Sequence, residues 1–149
     1  MIQISVTVDV SKFVAWAEEA ETRLANMGPF MQAMEQPVAD HLRQHMADQA
    51  GPNGPFAALT PKYARWKNKF FGGQPILQLR GPMLESITPG SDEANTWAEF
   101  TVPYATFHQT GTYKMVARPP AWISPQAADA FTQRVADWAI TGELGGVLL

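Results

Sequence analysis

The chain contains no cysteine. That absence excludes a disulfide framework, thiolate zinc sites, iron–sulfur clusters and a cysteine nucleophile together. It suits assembly in the cytosol. No stretch approaches eighteen consecutive apolar residues, so no membrane span is expected. The opening MIQISVTVDV has no basic region ahead of a continuous apolar run, so it does not read as a targeting segment. Charge is sparse, at 17% of residues, and the formal net charge of −3 argues against bulk attraction to DNA phosphates. Gly145-Gly146 has no strand–loop–helix around it, so no phosphate-cradling glycine loop is present. There is no internal repeat and no low-complexity tract.

What is present describes an ordinary globular chain. Its 149 residues, 46% of them apolar, fit one domain able to bury a core without staples. Residues 2–10 alternate, with Ile2, Ile4, Val6, Val8 and Val10 on one face, and predict a strand. Ser11 then caps a predicted helix over 12–27, with Phe13, Trp16, Ala20, Leu24 and Met27 as its apolar stripe and Gly28 as its stop. A second helix is expected from Pro29 to about Ala50, with Phe30, Met34, Val38, Leu42 and Met46 at every fourth position. Pro37 lies inside it and should kink or break it. Residues 51–55 are a glycine–proline loop. Thr60-Pro61 opens a short basic helix to about Phe70, ended by Gly72-Gly73. A helical turn near 83–86, strands at 87–89 and 96–102, and a tight, partly helical connection at 104–111 follow. Short edge strands are expected at 114–116 and 122–123. Ser124-Pro125 opens a last helix to about Trp138, with Ala128, Phe131, Val135 and Trp138 on one face. Residues 142–149 read as a flexible or docking tail. The order of elements lacks a regular βαβ alternation, which predicts an α+β fold: a small antiparallel sheet packed against several helices.

Candidate chemistry is thin. His108, with Tyr104 four residues before it, has the makings of a general base, but a polar group fixing a tight turn is the stronger expectation. His41 and His45 stand at i and i+4, a spacing that places two imidazoles on one helix face, with Asp48 as a conceivable third ligand. The glutamate of a HExxH motif is missing, and a solvated polar face is expected instead. No catalytic residue, metal site or cofactor is assigned. From Gln49 to Leu84 there are five basic residues and no acidic one. Within that stretch Tyr63, Trp66 and Phe70 share a helix face, expected to point at the core, with Lys62, Arg65 and Lys69 as a basic contact face. The competing reading is a small DNA-binding module that uses this basic–aromatic helix for phosphate contact and base stacking. Arg118 before Pro119-Pro120 is either an interface anchor or a strand-edge arginine paired with a local carboxylate.

Four segments in order resemble the phage virion-morphogenesis, or tail-completion, family. The first is 51–59 followed by Thr60-Pro61, similar to the family's glycine-rich loop and W-x-x-L-x-P segment, with Phe56 in the tryptophan position. The second is Lys67, then Ile76-Leu77, Gly81, Leu84 and Ser86-Ile87, with Arg80 where serine or threonine is usual. The third, and strongest, is Tyr104-Ala105-x-x-His108-Gln109-x-Gly111. The fourth is Ala117-Arg118-Pro119 with Pro120. Together they cover about residues 50–138. The resemblance implies a non-enzymatic structural protein of the virion, assembled in the host bacterial cytoplasm and placed at the neck or tail end. It implies self-assembly into a ring, commonly a hexamer, that contacts the tail tube and the head connector and completes the tail or joins it to the head. DNA would pass through the lumen without specific binding, and an acidic lumen would not grip phosphates. On this view Tyr104, His108, Gln109, Gly111, Arg118, Pro119 and Trp122, with the C-terminal tail, are interface elements.

Overall fold

The computed structural model describes residues 10–144. The strand expected at 2–10 and the end of the tail therefore lie outside the described residues. Among the described residues six helices and two small antiparallel hairpins follow one another, and the fold is α+β.

Helix α1 (Ser11–Ala25) ends at Asn26, and α2 (Gly28–Asp48) starts almost at once. Gly28 thus opens the second helix rather than only stopping the first. Ser11 is not the cap either: Val10 holds that position and no side chain caps it. Pro37 does not break α2, which continues without interruption to Asp48. The missing proline N–H removes one helical bond. Burial on both sides of the proline offsets that loss, because Phe30, Met34, Ala39, Leu42 and Met46 are all buried.

Those five residues belong to two cores, and α2 is the spine that joins them. Its first half packs Phe30, Met31 and Met34 against Trp138, Phe131 and Val135 of α6 (Pro125–Thr141). Phe30 meets Phe131 edge-on at 5.5 Å and Trp138 at the same distance. Its second half places Ala39, Leu42 and Met46 beneath Met83, Ile87 and Ala105. Ser124 caps α6 by accepting from Ala127 N–H at 3.1 Å. The inward residue of its first turn is Ala127, whereas Ala128 is exposed.

Between the cores the chain is held by short elements. Residues 50–55 fold into a minimal hairpin, β1 (Ala50–Gly51) with β2 (Gly54–Pro55), where a plain loop was expected. Helix α3 (Pro61–Phe71) begins at Thr60, whose hydroxyl accepts from Tyr63 N–H, and ends at left-handed Gly72. After α4 (Pro82–Glu85), β3 (Ile87–Ser91) pairs with β4 (Thr96–Phe100), Ile87 opposite Phe100 and Ser91 opposite Thr96. Trp97 lies over Gly90, its cross-strand partner, where a Cβ would come within 2.7 Å of the indole. Helix α5 (Ala105–Thr110) follows. The edge strands expected at 114–116 and 122–123 do not form; a single bridge between Thr112 and Met115 is all the pairing there. Pro119 and Pro120 lack the N–H groups a ladder needs.

Candidate interaction surfaces

The 104–122 region is tied together by side chains from its own sequence pattern. Gln109 clasps the backbone of Ala121, donating to its carbonyl at 2.9 Å and accepting from its N–H at 3.1 Å. The His108 carbonyl accepts from Arg118 N–H at 2.8 Å. Gly111 sits at φ +75, ψ −179, a backbone region essentially reserved for glycine. A Cβ there would come within 2.9 Å of Ala117 N. Arg118 is buried, and its guanidinium donates to Ala57 O at 2.6 Å, Ala58 O at 2.8 Å and Val116 O at 3.4 Å. Its counterparts are carbonyls, not the local carboxylate that was one of the two expectations. One arginine therefore staples the 57–58 segment to the 116–118 segment, and the Phe56 ring and the Pro119 carbonyl both lie against Gly51.

Next to this staple lies a cleft of about 650 Å³. Lys67, Arg80, Lys114 and Arg118 line it, and no carboxylate does. Its floor includes Leu77, a non-glycine residue at φ +65. Helix α3 forms one wall, and its orientation reverses the sequence expectation. The inward side carries Lys67, which is 3% exposed and donates its ammonium to Pro75 O. Burial pushes the Lys67 ammonium below its ordinary pKa. Tyr63, Trp66 and Phe70 are 42%, 41% and 61% exposed, so this stripe does not face the core. Ala64, Lys67 and Phe71 turn inward in its place, leaving the aromatics on the helix flank. Tyr63 and Trp66 stack at 5.3 Å, and the exposed Lys62, Arg65 and Lys69 lie alongside them.

Helix α1 is a second open surface. None of its residues is buried. Phe13 is 65% exposed and rests on Trp16 at 5.4 Å, while Val14 and Leu24 are also exposed. Its attachment runs along α6, where Arg23 donates to the carbonyls of Ala139 and Ile140 and pairs with Glu19. Glu18, Glu19 and Glu21 are exposed in its second half.

A model of the phage virion morphogenesis family matches residues 8–133, most of the chain. The chain belongs to the phage virion morphogenesis family. No curated protein and no solved structure matches it. The family match starts before α1, so it covers the two N-terminal helices as well as the four motif segments found from residue 51 onward. For this member of the virion morphogenesis family the role is in building phage particles, and the motif residues must be understood in that setting.

The structure brings Gln109, Gly111, Arg118 and Pro119 together as the internal staple just described. Tyr104 is exposed at the rim of the cleft, with His108 against it edge-on at 6.2 Å. His108 is half-buried; burial, and then the nearby Arg118 charge, hold its imidazole below its ordinary pKa. Trp122 lies elsewhere, stacked on His45 at 4.3 Å. His41 and His45, expected on a solvated face, are buried instead, with their Nε2 atoms 2.8 Å apart. One ring must donate to the other. Desolvation lowers both pKa values, and the His41 charge and the opposing Asp48 charge act further on His45. Asp48 itself is exposed and accepts from Gln44 at 2.9 Å. Among the described residues no group of three His, Asp or Glu side chains is placed to hold a metal. The surface on α1 was missed because its stripe read as ordinary core; the complete absence of buried residues is visible only in three dimensions.

Proposed function

We propose that this family member completes the tail or joins it to the head, forming a closed ring at the neck or tail end without catalysing a reaction. The observation that carries this is the pair of open faces on α1 and α3. Their aromatic side chains are exposed on a chain whose family builds particles. Exposed apolar patches rimmed by charge mark protein contacts. Head-to-tail closure needs two unlike patches on each subunit, and the chain has two. Its partners are further copies of itself, the tail tube and the head connector, with DNA passing through the lumen unread. The site of action is the virion, at the tail or neck.

Deleting the gene and imaging the resulting particles in negative stain tests this. Tails of aberrant length, or separated heads and tails, are the expected result; normal joined particles would remove the role. A second reading has one observation in its favour. The stacked Tyr63–Trp66 pair beside Lys62, Arg65 and Lys69 is the kind of surface that grips single-stranded nucleic acid. Retention of the purified chain on DNA at near-physiological salt, lost steeply as salt rises, would favour it.

A further inference from the structure

We infer that neighbouring copies meet through α1 of one and α3 of the next. This rests on the ring reading above and names the two faces that would close it. Among the described residues, each helix presents an aromatic face that is left partly open to solvent. On α1 these are Phe13 and Trp16, and on α3 they are Tyr63, Trp66 and Phe70. The helices belong to different parts of the molecule. α1 lies along α6, whereas α3 is pinned through Lys67 to the loop at Pro75. At 15 and 11 residues they span about 22 and 16 Å, comparable lengths for a helix–helix contact.

Charge decides which faces pair. Exposed α1 carries Glu18, Glu19 and Glu21 in its second half, with Lys12 at its start and Arg23 paired to Glu19; exposed α3 carries Lys62, Arg65 and Lys69 and has no carboxylate. A two-fold contact of α1 on α1 would leave carboxylates in excess at the seam, and α3 on α3 would set cation against cation. Like charges facing each other across an interface are strongly unfavourable. Only the unlike pairing buries both aromatic faces and brings opposite charges together. An unlike contact is heterologous, the kind that propagates from copy to copy and closes into a ring. Both complementary faces are on the same chain, so a second copy is the occupant.

The test uses the full chain, supplied to a phage lacking its own copy of the gene, with completed particles counted in negative stain. Glu18→Lys with Glu21→Lys reverses one face, and Lys62→Glu with Lys69→Glu reverses the other. Each pair should cut completed particles at least about tenfold, and all four substitutions together should restore most of the loss. A fourfold variant no better than either pair would overturn the contact. So would a harmless α1 pair beside a damaging α3 pair, which would instead point α3 at a foreign partner or at DNA. A second measurement keeps the charges intact and covers any variant that fails to fold. Phe13→Cys with Phe70→Cys, in a chain with no other cysteine, should give a ladder of oligomers when particles are treated with a short thiol cross-linker. Particles that hold the chain yet give no ladder would also overturn the contact. Particles that lack the chain, or that complete without it, would sink the ring reading itself.

Discussion

The 104–122 region and the α1/α3 faces divide the molecule's labour in opposite ways. The first has the strongest sequence signature, and its polar groups are spent internally: Gln109 on Ala121, and Arg118 on three carbonyls. The second has little signature and leaves aromatic surface open. A pattern strong enough to be seen in sequence often marks a backbone conformation that only certain residues can hold. Gly111 is the clearest case. An assembly face needs only apolar and charged residues in rough register, so its pattern is diffuse. On the proposed reading, the motif builds the frame and the partner surface lies beside it.

Removing Arg118 should break the frame hardest. Arg118→Ala leaves three carbonyls without their donor and opens a void beside Ala57. The expected loss is about 3 kcal/mol, a fall in Tm of roughly 6–12 °C, measurable by thermal unfolding. Arg118→Lys should recover little, since one ammonium cannot reproduce the planar fork. A Tm unchanged within a degree or so would show that the staple is ornamental, and the contrast between the two regions would fail. Gly111→Ala follows. At φ +75 with a Cβ 2.9 Å from backbone nitrogen, the site cannot relax by moving a side chain. A loss of about 2 kcal/mol is expected in denaturant titration; a neutral result would mean the turn adopts another conformation.

Much of the frame was readable because its period is simple. Phe30, Met34, Leu42 and Met46 fall every fourth residue or a multiple of it, and all are buried. Thr60 and Ser124, each ahead of a proline, cap the helices that their sequence announces. What escaped was orientation. Tyr63, Trp66 and Phe70 have the spacing of a core stripe, yet the loop carrying Pro75 attracts Lys67 inward and rotates the stripe outward. No local rule foretells a lysine buried against a carbonyl eight residues further along the chain. His41 and His45 were legible as one face but not as a buried one, because the Trp122 ring stacked on His45 comes from far along the chain. The family segments pointed to Gln109 and Arg118 as interface elements and said nothing of the internal hydrogen bonds that these residues make.

A smaller effect should appear with pH. His41, His45 and His108 are all depressed from the ordinary 6.5, first by desolvation. Below about 6.5 the unfolded chain binds protons that the folded chain refuses, so stability is fully present above that pH and falls as the pH drops toward the folded values. Asp92, depressed by hydrogen bonds from its own turn, contributes in the same direction but at lower pH: its share is present above 3.8 and is lost only as the pH falls through its lower folded value. Unfolding between pH 8 and 5 therefore reports the histidines alone. The fall should shrink in His45→Gln if the buried pair dominates and in His108→Gln if the cleft does. A flat profile would mean that neither site excludes protons, and that the buried pair is open to solvent.

The smallest stability effect belongs to the faces, and it sharpens the comparison most. Trp66→Ser with Phe70→Ser removes two large side chains that are 41% and 61% exposed. Because neither side chain is in the core, the Tm of the isolated chain should move by no more than the equivalent of about 1 kcal/mol per site. The same substitutions should abolish incorporation into particles, since aromatic anchors dominate contact energies. A destabilised frame loses function through unfolding, and its defect should soften at low growth temperature. A defaced surface loses function while the chain stays folded, and cooling should not rescue it. Stable chains that still enter particles would move the contact away from α3, leaving the cationic cleft beside Tyr104 as the next face to alter.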